Sequence, residues 1–174
     1  IGVIVSAYLV SRKYGTPFLA LTDFIAPLVP TGLLFGRLAN FVNQELWGRA
    51  TDLPWAIIFP ADPTQTPRHP SQLYEALGEG LLLFLIIGWF ARNPRGRGEV
   101  SGLFLLLYGS VRFSIEFVRQ PDSQFLGQDA MIDFLGWMTR GQWLCLPMIV
   151  GGVWLMRNAL LQAFNKLTRD TNAR

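Results

Sequence analysis

Charge, cysteine and histidine are all scarce in this chain. Only 16% of its 174 residues are charged, and it contains one cysteine and one histidine. A single cysteine excludes a disulfide framework and a cysteine-rich metal site, and we expect the protein to use neither a metal nor a cofactor. Its net charge of +3 comes from basic residues scattered between apolar stretches, so we also expect no nucleic-acid partner.

Apolar residues, by contrast, make up 51% of the chain and give it a mean hydropathy of +0.30. This balance is rare in soluble domains and indicates a protein that lies in a lipid bilayer. Cys145, in the apolar stretch WLCLPMIVGG, is interpreted as a small apolar membrane residue. The chain begins at Ile1, inside an apolar run and without an initiator methionine, so we expect the gene product to start upstream.

Five apolar stretches predict an all-α fold, a polytopic transmembrane helical bundle. About twenty residues suffice to cross the hydrocarbon core, and the stretches lie at 1–11, where the helix is truncated, and at about 20–42, 72–91, 101–118 and 142–160. No repeat or linker divides the chain, so residues 1–174 are expected to form a single membrane domain.

The basic residues predict the orientation, because short cytoplasmic loops collect lysine and arginine. Nine of them fall on one side of the predicted bundle and four on the other. The C-terminus is therefore expected to be cytoplasmic, and the loops at about 46–71 and 120–141 to face outward. The nine are Arg12, Lys13, Arg92, Arg95, Arg97, Arg157, Lys166, Arg169 and Arg174; the four are Arg49, Arg68, Arg119 and Arg140.

Arg37 and Arg112 fall inside predicted spans. A central arginine costs roughly 2.5–3.5 kcal/mol on insertion scales, so both should face a protein-lined or watery cavity. Polar residues recur at helical spacing around each arginine and along the span between them, which predicts three stripes that close one internal cavity. The stripes are Arg37, Asn40, Gln44 and Gly48; Gln72, Glu75 and Glu79; and Tyr108, Arg112, Glu116 and Arg119.

The spacing of the stripes leaves their purpose open. Arg112 could pair with Glu75 or Glu79 simply to hold helices together, and the protein would then be a membrane scaffold. Planar guanidinium groups also suit phosphate oxygens, which favours a lipid phosphate or another anion as the ligand. A transporter, a channel and a lipid-modifying enzyme are all consistent with that second interpretation.

The stretch GRLANFVNQELWG, residues 36–48, matches nine positions of the signature of bacterial prolipoprotein diacylglyceryl transferases. Further stretches similar to this family are TDFIAPLVP (22–30), RHPSQLYE (68–75), SGLFLLLYGSVRFSIEFVRQPD (101–122) and GQWLCLPMIVGG (141–152). The chain thus resembles the family over nearly its whole length. The matching signature positions are Gly36, Arg37, Ala39, Asn40, Phe41, Val42, Asn43, Glu45 and Gly48.

The resemblance implies a seven-helix enzyme of the bacterial inner membrane, of which this chain would hold roughly the last five helices. Such an enzyme moves the diacylglyceryl group of phosphatidylglycerol to the cysteine thiol in a lipoprotein signal peptide, which forms a thioether and releases glycerol phosphate. The implied partners are phosphatidylglycerol, prolipoprotein signal peptides and the surrounding membrane lipids. The active site is expected toward the periplasmic side.

The resemblance also implies roles for the residues that match the family's motifs. Negative charge builds on phosphate oxygens as the leaving group departs, so Arg37 and Arg112 are expected to be catalytic, with Tyr108 as a neutral donor beside them. The others are expected to bind the substrate: Asn40 as a headgroup donor, Glu45, Glu75 and Glu116 by holding arginines or bonding glycerol hydroxyls, Gly48 by admitting the substrate backbone, and Arg119.

A base must take the thiol proton, because the thiolate is the nucleophile. The resemblance implies that this base is the histidine of a His-Gly-Gly motif just ahead of the position of Ile1, and we therefore expect that this chain alone does not catalyse the transfer. His69, in RHPSQLYE, is the alternative base; its other interpretation is a loop or helix-entry residue before Pro70.

Overall fold

A computed structural model of the chain describes residues 2–120 and 138–172, with the backbone alone for 158–160 and 162–172. Most of the predicted outward loop at 120–141 lies outside the described residues. Each predicted span contains helix. In chain order the helices are α1 (Gly2–Tyr14), α2 (Phe18–Ile25), α3 (Val29–Val42), α4 (Ser71–Glu75), a π-helical segment (Ala76–Leu82), α5 (Leu83–Ala91), α6 (Glu99–Ile115) and α7 (Arg140–Asn172).

One described helix is long and apolar enough by itself to cross a membrane. It is the continuous helix Ser71–Ala91, 21 residues long, which comprises α4, the π segment and α5. The pair α2 and α3 passes the same test only when it is counted as one broken span. Length and composition of the described residues thus give one or two candidate spans, and the prediction of five is not confirmed.

The predicted span at about 20–42 is broken between α2 and α3. The two helices are bent by 45°, and Pro27 lies in the turn that joins them. Proline has no N–H to donate and disfavours helical geometry in the residue before it. Pro30, within the first turn of α3, is tolerated there because the first helical amides have no intrahelical acceptor.

The loop between α3 and α4 contains a short antiparallel pair of strands, β1 (Ile57–Ile58) and β2 (Pro67–Arg68). Ile57 lies opposite Arg68, and Ile58 opposite Pro67. An isolated β-bridge joins Gly48 in this loop to Arg119, just after α6. These backbone pairings attach the loop to the end of the bundle where α3, α4 and α6 meet.

Asp23 near the end of α2 caps the start of α6. Its Oδ2 accepts a hydrogen bond from the amide of Gly98 at 2.6 Å, and its Oδ1 accepts from the amide of Ser101 at 2.8 Å and the Ser101 hydroxyl at 2.7 Å. A carboxylate at a helix N-terminus satisfies free amides and complements the helix dipole. This cap holds the stretches TDFIAPLVP and SGLFLLLYG together at the end of α6 away from Arg112.

Apolar side chains form a small core and much of the surface. Leu83 and Ile87 of α5 are fully buried against Val100 of α6. On the outside, Phe24 and Trp89 are 73% and 66% exposed. Large exposed apolar patches are rare on monomeric soluble proteins, so this surface is typical of a protein surrounded by lipid.

Candidate functional site

An ion-paired group of side chains, which we call the arginine–glutamate cluster, lies where α3, α6 and the helix Ser71–Ala91 meet. Its glutamate side chains are at most 6% exposed and its arginine side chains between 12 and 19%. Buried charges are costly unless they are paired, and here three positive charges face three negative ones. The members are Arg37, Arg112 and Arg119 with Glu75, Glu79 and Glu116.

Glu75 is the centre of the cluster because it contacts all three arginines. Its Oε1 lies 2.5 Å from Arg112 Nη1 and 3.6 Å from Arg119 Nε, and its Oε2 lies 3.3 Å from Arg37 Nε. Glu79 bridges two of the same arginines, with Oε2 3.3 Å from Arg37 Nη2 and Oε1 3.6 Å from Arg112 Nη1. The pairing of Arg112 with Glu75 and Glu79, predicted by the scaffold interpretation, is therefore present.

Glu116 extends the cluster toward α7. Its Oε2 lies 3.1 Å from Arg112 Nη2, one turn earlier on α6. Its Oε1 accepts a hydrogen bond from Thr139 Oγ1 at 3.0 Å, just before α7 begins. A Cβ at Gly141 would lie 2.6 Å from Glu116 Oε1, so a larger residue there would displace the Glu116 carboxylate. Glu116 thus links α6 to α7 as well as holding Arg112.

The π segment brings the two glutamates against Arg37. A methyl group at Gly80 would lie 2.7 Å from the Cα of Leu34, so glycine allows the backbones of α3 and the π segment to touch. Glu75 and Glu79, one turn apart, consequently face α3 together, and both are fully buried. Short π-helical segments inside α-helices frequently occur at functional sites, which agrees with the position of this one.

Tyr108 and Asn40, the two predicted neutral donors, border the cluster. The ring of Tyr108 is half-buried and stacks on Phe104 with the ring centroids 5.7 Å apart. Its hydroxyl lies within electrostatic reach of Glu79, Arg112 and Arg37. Asn40, half-buried one turn after Arg37, makes no side-chain hydrogen bond within residues 2–120 and 138–172. Neither side chain is thus engaged by the ion pairs.

The predicted stripe on α3 is wrong beyond Asn40, because the helix ends at Val42. Gln44 has a left-handed backbone with φ of 56°, and the amide of Glu45 donates to the carbonyl of Asn40 at 3.0 Å. This pattern commonly ends helices, usually with glycine at the left-handed position. Gln44 instead fixes the loop, where its Oε1 accepts a hydrogen bond from the amide of Ala61 at 2.9 Å.

Gly48 and Glu45 lie in the loop after α3, outside the arginine–glutamate cluster. A Cβ at Gly48 would lie 2.6 Å from the carbonyl oxygen of Val118 and 2.7 Å from the Cβ of His69, so protein atoms already fill the space meant for a substrate backbone. Glu45 is exposed and its Oε1 accepts a weak hydrogen bond from Asn43 at 3.4 Å. It contacts no arginine in the part of the chain that the structure describes.

His69 is held in the loop beside Gly48. Its Nδ1 lies 3.3 Å from the hydroxyl of Tyr74, which also accepts a hydrogen bond from Trp55 Nε1 at 2.8 Å. The His69 carbonyl accepts the amide of Gly48 at 2.9 Å. These contacts favour the interpretation of His69 as a loop residue over its interpretation as a base.

A second buried ion pair fixes the same loop. Arg68 Nε lies 2.5 Å from Asp62 Oδ2, while its two terminal nitrogens donate to Thr64 Oγ1 at 3.1 Å and to the side chain of Gln120. The hydrogen bond from Arg68, helped by those from Thr64, lowers the pKa of Asp62 to about 2 despite its burial. Asp62 is thus ionised at any pH near neutrality, and the pair holds β2 in place.

Glu79 was predicted as a member of the stripe with Glu75 and as a possible partner of Arg112, but it was given no role toward the substrate. Asp62 and Thr139 were absent from the predicted site although they take part in these networks. The sequence carries no signal for them, because each meets its partner, Arg68 or Glu116, only through the fold.

These features define a class of protein: a helical protein with an apolar exterior and a buried, ion-paired polar site between its helices, as membrane enzymes and transporters have. The family model for prolipoprotein diacylglyceryl transferase matches residues 1–157. The chain belongs to that family.

Three relatives illustrate the similarity. The phosphatidylglycerol–prolipoprotein diacylglyceryl transferases of Idiomarina loihiensis, Azotobacter vinelandii and Nitratidesulfovibrio vulgaris are 58%, 56% and 53% identical to this chain over 162, 156 and 157 residues. The matches cover 93%, 90% and 90% of the chain but 58%, 57% and 57% of the relatives. The chain thus spans a little over half the length of the curated relatives it matches.

Proposed function

We propose that the intact protein transfers the diacylglyceryl group of phosphatidylglycerol to the lipobox cysteine of prolipoproteins. The names of the relatives support this reaction. In it, the cysteine sulfur forms a bond to a glycerol carbon while the bond from that carbon to a phosphate oxygen breaks. The bonding electrons leave with glycerol phosphate, and the thiol proton goes to a base. The product is a thioether, and this would be the first step of lipoprotein maturation.

The observation that carries this proposal is the position of Arg37 at the open edge of the arginine–glutamate cluster. Its side chain is the most exposed of the three arginines at 19%. Nε and Nη2 are ion-paired with Glu75 and Glu79, whereas Nη1 has no protein partner in the described part of the chain. A guanidinium has five N–H donors, so Arg37 can be held by glutamates and still offer donors to a phosphate.

Arg112 supplies the second catalytic donor in this proposal. It is ion-paired with all three glutamates and therefore has a fixed orientation. Donors that are already oriented stabilise the charge on a leaving phosphate without reorganising, which is the main advantage of a preformed site. Tyr108, bordering the cluster, is placed to donate its hydroxyl to the same anion.

The remaining residues bind or position the substrate. Glu75 and Glu116 hold the arginines, and Arg119 extends the positive edge beside Glu75. Asn40 donates to the headgroup, and Glu45, exposed in the turn after α3, accepts from glycerol hydroxyls. This division avoids placing a carboxylate directly against the phosphate, where like charges would repel.

We place the protein in the bacterial inner membrane with this site toward the periplasm. The relatives are bacterial enzymes, the exterior is apolar, and the basic residues are concentrated at the opposite end of the predicted bundle. Prolipoprotein signal peptides would reach the site from the outer side, and phosphatidylglycerol from the surrounding membrane lipid.

The test compares arginine-to-lysine variants of the intact protein. Arg37→Lys and Arg112→Lys keep the charge but lose the planar pair of donors, so each should lower the transfer rate by about 100-fold or more. Mass spectrometry of a lipobox peptide incubated with phosphatidylglycerol measures the rate. Arg97→Lys, at an exposed position in the loop between α5 and α6, is the matched control and should transfer normally.

The scaffold interpretation makes the opposite prediction for the same variants. If the cluster only holds helices together, Arg37→Lys should lower the thermal unfolding midpoint while the folded fraction still transfers at the wild-type rate. That outcome would contradict the proposed catalytic role of Arg37.

A further inference from the structure

We propose that Glu79 takes up a proton when the phosphate of the lipid substrate enters the arginine–glutamate cluster. The inference rests on the proposed function, because it concerns how phosphatidylglycerol binds. Glu79 lies outside each sequence stretch that matches the family's motifs, at 22–30, 36–48, 68–75, 101–122 and 141–152. Its role must therefore be argued from its surroundings.

The argument begins with the charge balance of the cluster. Among the described residues, its ion pairs join three guanidinium groups to three carboxylates, so these positive and negative charges match before a lipid phosphate enters. A phosphodiester brings one more negative charge into a site whose carboxylates are almost fully buried. An uncompensated buried charge is strongly unfavourable, and one proton on one carboxylate restores the balance.

Of the three carboxylates, Glu79 loses the weakest interactions when it is protonated. Glu75 contacts three arginines, with a closest distance of 2.5 Å, and Glu116 has Arg112 at 3.1 Å and the Thr139 hydroxyl at 3.0 Å. Glu79 has longer contacts, 3.3 and 3.6 Å. It is fully buried, and the hydrogen bond that it accepts from Arg37 Nη2 at 3.3 Å is longer than those that Glu75 and Glu116 accept from Arg112 and Thr139, at 2.5 and 3.0 Å, within the described residues.

The groups around Glu79 show how substrate binding would raise its affinity for a proton. Arg37 faces it from α3 and Arg112 from α6, with Glu75 one turn away on its own helix. Tyr108 of α6 and Cys145 of α7 are the other titratable groups within electrostatic reach of Glu79. When a phosphate accepts hydrogen bonds from the two arginines, its negative charge offsets the positive charges that favour ionised Glu79. Glu75 continues to repel the Glu79 carboxylate.

Protonation of Glu79 also changes its interaction with the phosphate from repulsion to a hydrogen bond. An ionised carboxylate beside a phosphate repels it, whereas a protonated carboxyl group can donate a hydrogen bond to a phosphate oxygen. The proton comes from the solvent and returns to it when glycerol phosphate leaves, so Glu79 is unchanged over a complete cycle. It is thus a positioning residue for the headgroup and separate from the base that takes the thiol proton.

The experiment measures proton uptake during lipid binding. Short-chain phosphatidylglycerol is titrated calorimetrically into the detergent-purified intact protein, in buffers of different ionisation enthalpy and over a range of pH. The wild type should take up about one proton per bound lipid, with Kd rising about tenfold per pH unit where Glu79 is ionised in the free protein. Glu79→Gln, which mimics the protonated form, should bind with no uptake and a nearly constant Kd.

Two controls separate this role from a structural one. Glu99→Gln makes the same chemical change on α6, about 20 Å along that helix from Arg112, and should leave proton uptake as in the wild type. Glu79→Asp keeps a titratable group and should retain the uptake even if Glu79→Gln folds poorly. Short-chain diacylglycerol, which has no phosphate, should cause no uptake.

Several results would overturn the proposal. Wild-type protein that binds and transfers phosphatidylglycerol without proton uptake would refute the role of Glu79 and leave the proposed function intact, as would a pH dependence that persists in Glu79→Gln. Proton uptake with diacylglycerol would refute the charge argument. Wild-type protein that neither binds phosphatidylglycerol nor transfers from it would refute the proposed function itself, and this inference with it.

Discussion

Two glycines at the ends of the stretch 36–48 have different surroundings. An added Cβ at Gly48 would lie 2.6 Å from the carbonyl oxygen of Val118, whereas one at Gly36, within α3, would meet nothing within 4 Å. Gly48→Ala should therefore destabilise the protein by about 1–3 kcal/mol through overpacking. Gly36→Ala should be neutral or stabilising by up to about 1 kcal/mol, since alanine favours helix.

Thermal unfolding of the two purified variants checks this difference, with the wild type as reference. The pair is matched because both variants add one methyl group within the same signature stretch. Equal unfolding midpoints would mean that the loop can shift away from Val118, and that Gly48 is not needed for packing.

The sequence predicts the cluster residues better than it predicts their neighbours. Arg37 and Arg112 are conspicuous because an arginine inside an apolar stretch needs partners, and the partners Glu75 and Glu116 follow from helical spacing. The packing around Gly48 cannot be predicted this way. It depends on segments 21 and 70 residues away that meet only after the chain has folded.

The contact between α3 and the π segment makes a prediction at the scale of elements. Gly80→Ala would place a methyl group 2.7 Å from the Cα of Leu34, so the two helices must separate. Because that contact positions Arg37 against Glu79, the transfer rate should fall, by up to about 100-fold for a displacement near 1 Å. The transfer assay on the intact protein measures the effect.

Gly88→Ala is the matched control for this variant. Gly88 lies on the same continuous helix, and an added Cβ there would meet nothing within 4 Å. Gly88→Ala should transfer like the wild type and should not be less stable. If Gly80→Ala gave the same result, the close approach of the helices would have no part in positioning Arg37.

Helices were predictable from the apolar runs, but only some of their ends were. The predicted span at 72–91 agrees with the helix Ser71–Ala91 within one residue, because proline and polar residues mark its start and RNPRGRG its end. The end of α3 lacks such a mark, since Gln44 rather than glycine adopts the left-handed conformation there. The break near Pro27 is marked in the sequence, because proline disfavours helix in the residue before it.

At the scale of the whole molecule, the two ends of α6 differ in chemistry. Glu99 at its start follows the basic loop with Arg92, Arg95 and Arg97, whereas Arg112 lies about 20 Å further along the helix axis. If that loop is cytoplasmic, this length of helix displaces the arginine–glutamate cluster about 20 Å toward the other side of a hydrocarbon core roughly 30 Å thick. The orientation of the protein in the membrane therefore decides on which side the arginine–glutamate cluster lies.

Labelling of introduced cysteines tests this orientation. Asp52 and Asn93 are both exposed, in the loop before α4 and in the loop before α6, and the natural Cys145 is only 2% exposed, so it should react little. In spheroplasts, a membrane-impermeant maleimide should label Asp52→Cys directly and Asn93→Cys only after permeabilisation, with the parent protein as the background. The reverse pattern would place the basic loop outside, against the nine-to-four distribution of basic residues. The cluster would then lie on the cytoplasmic side, where a lipobox cysteine that has already been translocated to the periplasm could not reach it.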